Sequence, residues 1–131
     1  MRAAIYCRVS TKAQAEDGTS LETQQRACTE AAHERGYRTL PELIFREDWP
    51  GDSLDRPQLS RLRELVRTRS VEAVICYATD RLCRNPIHLF IFAEECEKAN
   101  VPLVFVTEPL DASPEGQLIR FSQRVAIFII E

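Results

Sequence analysis

Several things are missing from this 131-residue chain, and each absence closes a door. No apolar run approaches the length needed to span a bilayer, and Met1-Arg2 passes straight into an apolar stretch without a secretory pattern. The five cysteines (Cys7, Cys28, Cys76, Cys83, Cys96) are odd in number and form no C-x-x-C pair. With His33 and His88 the only histidines, no metal site is expected, and reduced thiols in a cytoplasmic protein fit better. There is no surplus of positive charge: the net charge is −3, unlike a protein that coats nucleic acid. No G-x-S-x-G occurs, and His33 falls on a helix expected to lie far from any serine placed for catalysis, so a Ser-His-Asp site is excluded. Lysine is almost absent. Of seventeen cationic residues only Lys12 and Lys98 are lysines, and the rest are arginines, which grip phosphate with a planar fork. A GC-rich genome would produce the same bias.

The chain that remains is 44% hydrophobic and long enough for one domain with its own core, expected over residues 1–131 without repeat or linker. Residues 2–9 read as a buried strand, and Asp17-Gly18 marks a loop. Ser20 caps a helix with Leu21, Gln25, Cys28 and Ala32 inward, stopped at Gly36. A second strand is expected over 37–46 despite Pro41, then a loop over 48–53. Pro57 opens a helix striped by Leu59, Leu62, Leu65 and Val66. Residues 71–78 form the clearest core strand. Pro86 begins a helix with Leu89, Phe92, Ala93 and Cys96 inward, ending near Asn100, and 101–107 make another strand. A last helix is expected from about Glu115, carrying Leu118, Phe121, Val125 and Phe128. Strand and helix alternate throughout, which predicts a three-layer α/β sandwich: a mostly parallel sheet of four or five strands with helices on both faces. The segment Val125–Ile130 is apolar around the whole helix circumference. It calls for contact with another subunit, or for a native helix that continues beyond Glu131; the two are compatible.

Two short motifs leave strand ends. Tyr6-Cys7-Arg8-Val9-Ser10-Thr11 follows the first strand, and Asp80-Arg81-Leu82-Cys83-Arg84-Asn85-Pro86 follows the third. Ligands in open parallel sheets bind beyond the carboxyl ends of strands. Both motifs meet there, bringing the Ser10 hydroxyl beside Arg8, Arg81 and Arg84. Arg8 lies two residues before Ser10 and so points to the same side of the strand. Arg81 and Arg84, three apart, share a face if the chain turns helically after Asp80. Asp80 either orients a guanidinium or exchanges a proton with a departing oxygen. A serine hydroxyl is a weak nucleophile without help, and donors aimed at a phosphodiester transition state are worth about 3–4 kcal/mol each. Taken singly the motifs are weak: R-V-S commonly caps a turn, and D-R-x-x-R commonly forms a solvated ion-pair cluster.

Taken together and in order, the motifs resemble a known family. The run Y-C-R-V-S-T-K-A-Q-A-E-D-G-T-S-L-E-T-Q-Q-R-A-C, then D-S-L-D-R-P-Q-L, A-T-D-R-L-C-R-N and S-P-E-G-Q-L-I-R-F resemble the catalytic domain of serine site-specific recombinases, the resolvase/invertase family. The similarity is greatest to the large serine recombinases of phages and mobile elements. The resemblance implies that Ser10 attacks DNA and becomes linked to a 5′-phosphate, that Arg8, Arg81 and Arg84 hold the phosphate, and that Asp80 is a candidate proton carrier. It implies a further active-site arginine in Arg56 and site-shaping roles for Gln14 and Gln24. It implies double-stranded DNA sites as partner, a homodimer on each site with a tetramer during strand exchange, and no cofactor. Pro50 departs from the family pattern, and so does the segment after Phe121, so no role passes to Glu131; no DNA-binding module follows. The alternatives are an inactive assembly or regulatory domain of the same fold, and a receiver or flavodoxin-like domain. The receiver reading fails because Arg8 and Ser10 stand where it needs an acidic pair.

Overall fold

The computed structural model describes residues 1–10, 19–50 and 53–107. Four strands form one parallel sheet in the order β2-β1-β3-β4: β1 (Ala3–Val9), β2 (Ile44–Asp48), β3 (Ala73–Cys76) and β4 (Leu103–Phe105). β1 and β3, the two inner strands, are buried almost throughout and apolar but for Arg8, because both of their faces are covered. Helix α1 (Leu21–Glu34) covers one face, and α2 (Pro57–Arg67) and α4 (Pro86–Lys98) cover the other. Between β3 and α4 lies α3 (Thr79–Leu82), a single turn. The handedness of parallel crossovers accounts for the layering. The chain steps outward in one direction from β1 to β2 and in the opposite direction from β2 to β3 and β3 to β4, so right-handed connections put α1 alone on its face. The reversal falls between β1 and β3, where such sheets open a crevice at their carboxyl edge.

The local signals work as chemistry dictates. The Ser20 hydroxyl accepts the Thr23 amide at 3.1 Å and caps α1, and Gly36 then takes φ +82. The Asn85 side chain accepts the Ile87 amide at 2.9 Å, with Pro86 as first residue of α4. The inward side chains of α4 are Leu89, Phe92, Ala93 and Cys96. The helices of the shared face are tied by a fork from Arg63 to Glu95, at 2.9 and 2.5 Å.

Three expectations are corrected. The strand expected over 37–46 is β2, Ile44–Asp48, so Asp48 is strand rather than loop. Pro41, with no amide to give to a ladder, opens a 3₁₀ turn over Pro41–Leu43 instead. On α1 it is Gln24, not Gln25, that is fully buried, beside Cys28, Ala31 and Ala32. Finally, Arg81 and Arg84 do not share a helical face: α3 ends at Leu82, and Cys83 is already extended. The chain must be extended again at Asn85 before Pro86, which leaves no room for another turn. The expected last helix and the Asp17-Gly18 loop lie outside the described residues.

Candidate active site at the carboxyl edge of the sheet

The two ladders of β1 end at different heights. Pairing with β3 stops at Tyr6, opposite Cys76, whereas pairing with β2 runs on to Val9 opposite Asp48. The peptide of Arg8 would therefore lose a partner in the interior, a cost the fold avoids with a side chain. Gln24 Oε1 accepts the Arg8 amide at 3.1 Å, and its Nε2 donates to the Arg8 carbonyl at 3.0 Å and to Thr19 at 3.3 Å. An amide side chain thus stands in for a missing strand. Ser10 follows at once, 3% exposed.

Above this gap sits α3, whose four residues are too few to satisfy their own carbonyls. Two fully buried arginines do so. Arg8 donates from Nη2 to the Asp80 carbonyl at 2.7 Å, from Nε to the Arg81 carbonyl at 3.1 Å and from Nη1 to the Trp49 carbonyl at 2.9 Å. Arg56 donates from Nη2 to the Leu82 carbonyl and to Cys83 Sγ (3.6 Å), and from Nε to the Ser53 carbonyl at 2.8 Å. Three consecutive carbonyls are held by two guanidiniums, one from a strand and one from the turn before α2.

Arg56 is itself tethered. Its Nη1 donates to the Tyr6 hydroxyl at 3.0 Å, and its guanidinium lies 5.6 Å from the centre of the Tyr6 ring. The Tyr6 hydroxyl donates to Glu47 Oε1 at 2.6 Å. Glu47 then accepts the Gln58 amide at 2.7 Å and the Leu59 amide at 3.3 Å, placing a carboxylate at the amino terminus of α2 where the helix field favours it. Burial pushes the Tyr6 phenol well above its ordinary range, with Arg56 pulling the other way and the Glu47 bond adding to the rise. Burial likewise pushes the Cys83 thiol up to about 11, against the pull of Arg56.

Those residues singled out by sequence that the structure describes therefore fall into three groups. Ser10, Arg8, Asp80 and Arg81 gather at the joint carboxyl edge of β1 and β3, with Arg81 6% exposed. It is the Asp80 carbonyl that holds a guanidinium, while its carboxylate is exposed among the described residues. Arg84 is exposed just beyond α3. Arg56 and Gln24 are interior and act on main-chain atoms close to the site. Gln14 lies outside the described residues. Sequence reasoning missed Tyr6, Glu47 and Trp49. The signal for Glu47 was present: the alternation of β2 buries Phe45 and Glu47 and exposes Arg46. Among the described residues no group of three or more His, Cys, Asp or Glu side chains could hold a metal ion, and no helix is long and apolar enough to cross a membrane.

Comparison with known proteins agrees with this architecture. Residues 3–126 match the sequence model of the family described as "Resolvase, N terminal domain". A Bacillus subtilis (strain 168) protein named "Putative DNA recombinase" is 41% identical over 124 residues, covering 95% of this chain and 24% of its own length. The Transposon Tn917 resolvase of Enterococcus faecalis is 29% identical over 126 residues, 96% of this chain and 59% of that protein. The chain thus spans about a quarter of one relative and rather more than half of the other. Among solved structures, the N-terminal catalytic domain of TP901-1 integrase superposes with a TM-score of 0.77 at 28% identity, covering 97% of this chain and 93% of that one. The C-terminal catalytic domain of ISC1926 TnpA, an IS607-like serine recombinase, gives 0.69 at 32% identity, over 92% and 80% of the two chains.

Proposed function

Since the chain belongs to the resolvase family, in its amino-terminal catalytic domain, we propose that it cuts and rejoins DNA as a serine site-specific recombinase. The Ser10 oxygen attacks a backbone phosphorus. An Oγ–P bond forms, the bond from phosphorus to the 3′ oxygen breaks, and a proton passes to that departing oxygen. The product is a 5′-phosphoserine link and a free 3′ hydroxyl. The phosphodiester energy is retained in the link, so rejoining is the same reaction reversed and calls for no nucleotide cofactor. Arg81 and Arg84 hold the phosphate oxygens, for which a guanidinium fork is suited. Asp80 carries the proton. Arg8 and Arg56 are the remaining arginines of the site, and Gln24, with Gln14, shapes it. A homodimer takes each double-stranded site and two dimers join as a tetramer to exchange strands. The thiols described, all free and buried, suit a cytoplasmic setting.

The observation that supports this reading is the bridge made by Arg8, which ties the strand ending in Ser10 to the carbonyls of Asp80 and Arg81. The test is covalent trapping on suicide DNA that loses its 3′ end after cleavage. A protein–DNA adduct is expected, absent in Ser10→Ala. An adduct that persists in Ser10→Ala, or none from the wild-type chain even when fused to a DNA-binding module, overturns it.

A further inference from the structure

Trp49 is the chain's single tryptophan, and it stands at the carboxyl edge with 42% of its surface exposed. Its place follows from the register. Arg8 pairs with Glu47 and Val9 with Asp48, and the Trp49 amide donates to the Val9 carbonyl at 2.8 Å, so the ladder runs one step past β2. The next residues outward are Ser10 on one strand and Trp49 on the other, and neighbouring strands lie about 4.8 Å apart. Trp49 is also in phase with Phe45 and Glu47, which are buried on the face of the sheet that carries Tyr6.

The backbone beneath the ring is fixed on both sides. Its amide is bound to Val9, its carbonyl accepts Arg8 Nη1 at 2.9 Å, and Pro50 after it restricts it to extended geometry. A large aromatic surface is thus left facing solvent beside the proposed nucleophile, on main chain that has little freedom left to lose. An intact duplex offers no partner for it, since each base face is already covered by the next base pair. Cutting a strand interrupts that stack and uncovers a base.

We infer that the Trp49 indole is a stacking platform for the nucleobase uncovered at a strand break beside Ser10. The inference rests on the DNA-cleavage reading above and names the part of the substrate this side chain takes. Stacking of a base on an aromatic ring is worth roughly a tenfold change in affinity, with little dependence on base identity. Arginine at the same edge takes the phosphate, and the indole takes the neighbouring base.

With one tryptophan in the chain, its fluorescence reports directly on the ring. The wild-type chain is titrated with a short duplex gapped at its centre in one strand, and with the intact duplex of the same sequence at the same ionic strength. Strong quenching by the gapped duplex and little by the intact one is expected. Trp49→Ala should bind the gapped duplex roughly tenfold more weakly and the intact duplex as before, and Trp49→Phe should recover part of the loss. Equal quenching by both duplexes, equal affinity of Trp49→Ala for the gapped DNA, or no binding of gapped DNA overturns the inference. So does quenching that grows with protein concentration without DNA, which would give the ring to a second copy of the chain. Trapping separates the two readings: if wild-type protein forms the Ser10 adduct and Trp49→Ala binds gapped DNA undiminished, stacking falls and strand cleavage stands.

Discussion

The central strand shows the same backbone to two different interiors. Toward α1 it sends Ala3, Ile5 and Cys7, which meet Cys28, Ala31, Ala32 and Ile75 in a small, wholly apolar cluster. Toward α2 and α4 it sends Ala4 and Tyr6, whose hydroxyl joins the Glu47–Arg56 chain of hydrogen bonds. The first face is held by contact area, which is tolerant of small changes in shape. The second rests on a larger apolar cluster and adds to it directional bonds between buried polar groups, each of which leaves a partner unsatisfied when removed. The difference teaches that cohesion is common to both sides, while only the side with the polar network also fixes where the Asp80–Leu82 segment stands relative to Ser10.

The comparison breaks most visibly at Arg56. Arg56→Ala should cost about 3–5 kcal/mol in urea unfolding, because the Leu82 and Ser53 carbonyls and the Tyr6–Glu47 pair all lose a buried cation together. A cost below about 1 kcal/mol would make the network ornamental. Alkaline pH probes both faces at once. The Cys83 thiol is raised from 9.0 to about 11, so it stays protonated in the folded protein when an unfolded thiol would ionise. Its contribution is whole below pH 9 and is lost as pH rises from 9 to 11, amounting to about 2–3 kcal/mol. Burial also raises Cys96, while Cys28, on the apolar face, is raised by its hydrogen bond with Cys7 and then by burial. Unfolding midpoints should therefore fall steeply above pH 9, and thiol labelling at rising pH should reach Cys83 before Cys28, since only Cys83 has Arg56 beside it. The smallest effect is expected from Cys28→Ala, about 1 kcal/mol, with α3 undisturbed by hydrogen exchange. A change in exchange at the Cys83 amide in that variant would show that the faces are coupled after all.

Much of the layered fold was legible because its signals are local. Apolar runs mark β1 and β3, Ser20 announces a helix start, and Pro57 and Pro86 sit where the missing amide does no harm. The 37–46 expectation failed where a proline chose a 3₁₀ turn over a ladder. The inner face of α1 was assigned one residue off, to Gln25 where Gln24 is buried against Arg8, since a glutamine carries no hydrophobic mark. The alternation of β2 marks Glu47 as inward, but its pairing with Tyr6 could not be read. A buried carboxylate is stable only with partners, and those come from residues 6, 56, 58 and 59, which nothing in the order of letters ties together.

The links from Arg8 to Asp80 and Arg81, and from Arg56 to Leu82, end on main-chain oxygens. Whatever side chains occupy those three positions, the oxygens remain. The turn is therefore a socket whose location is set from elsewhere in the chain: the exposed position, Asp80, can change its side chain without moving it, while Leu82 is held to the core.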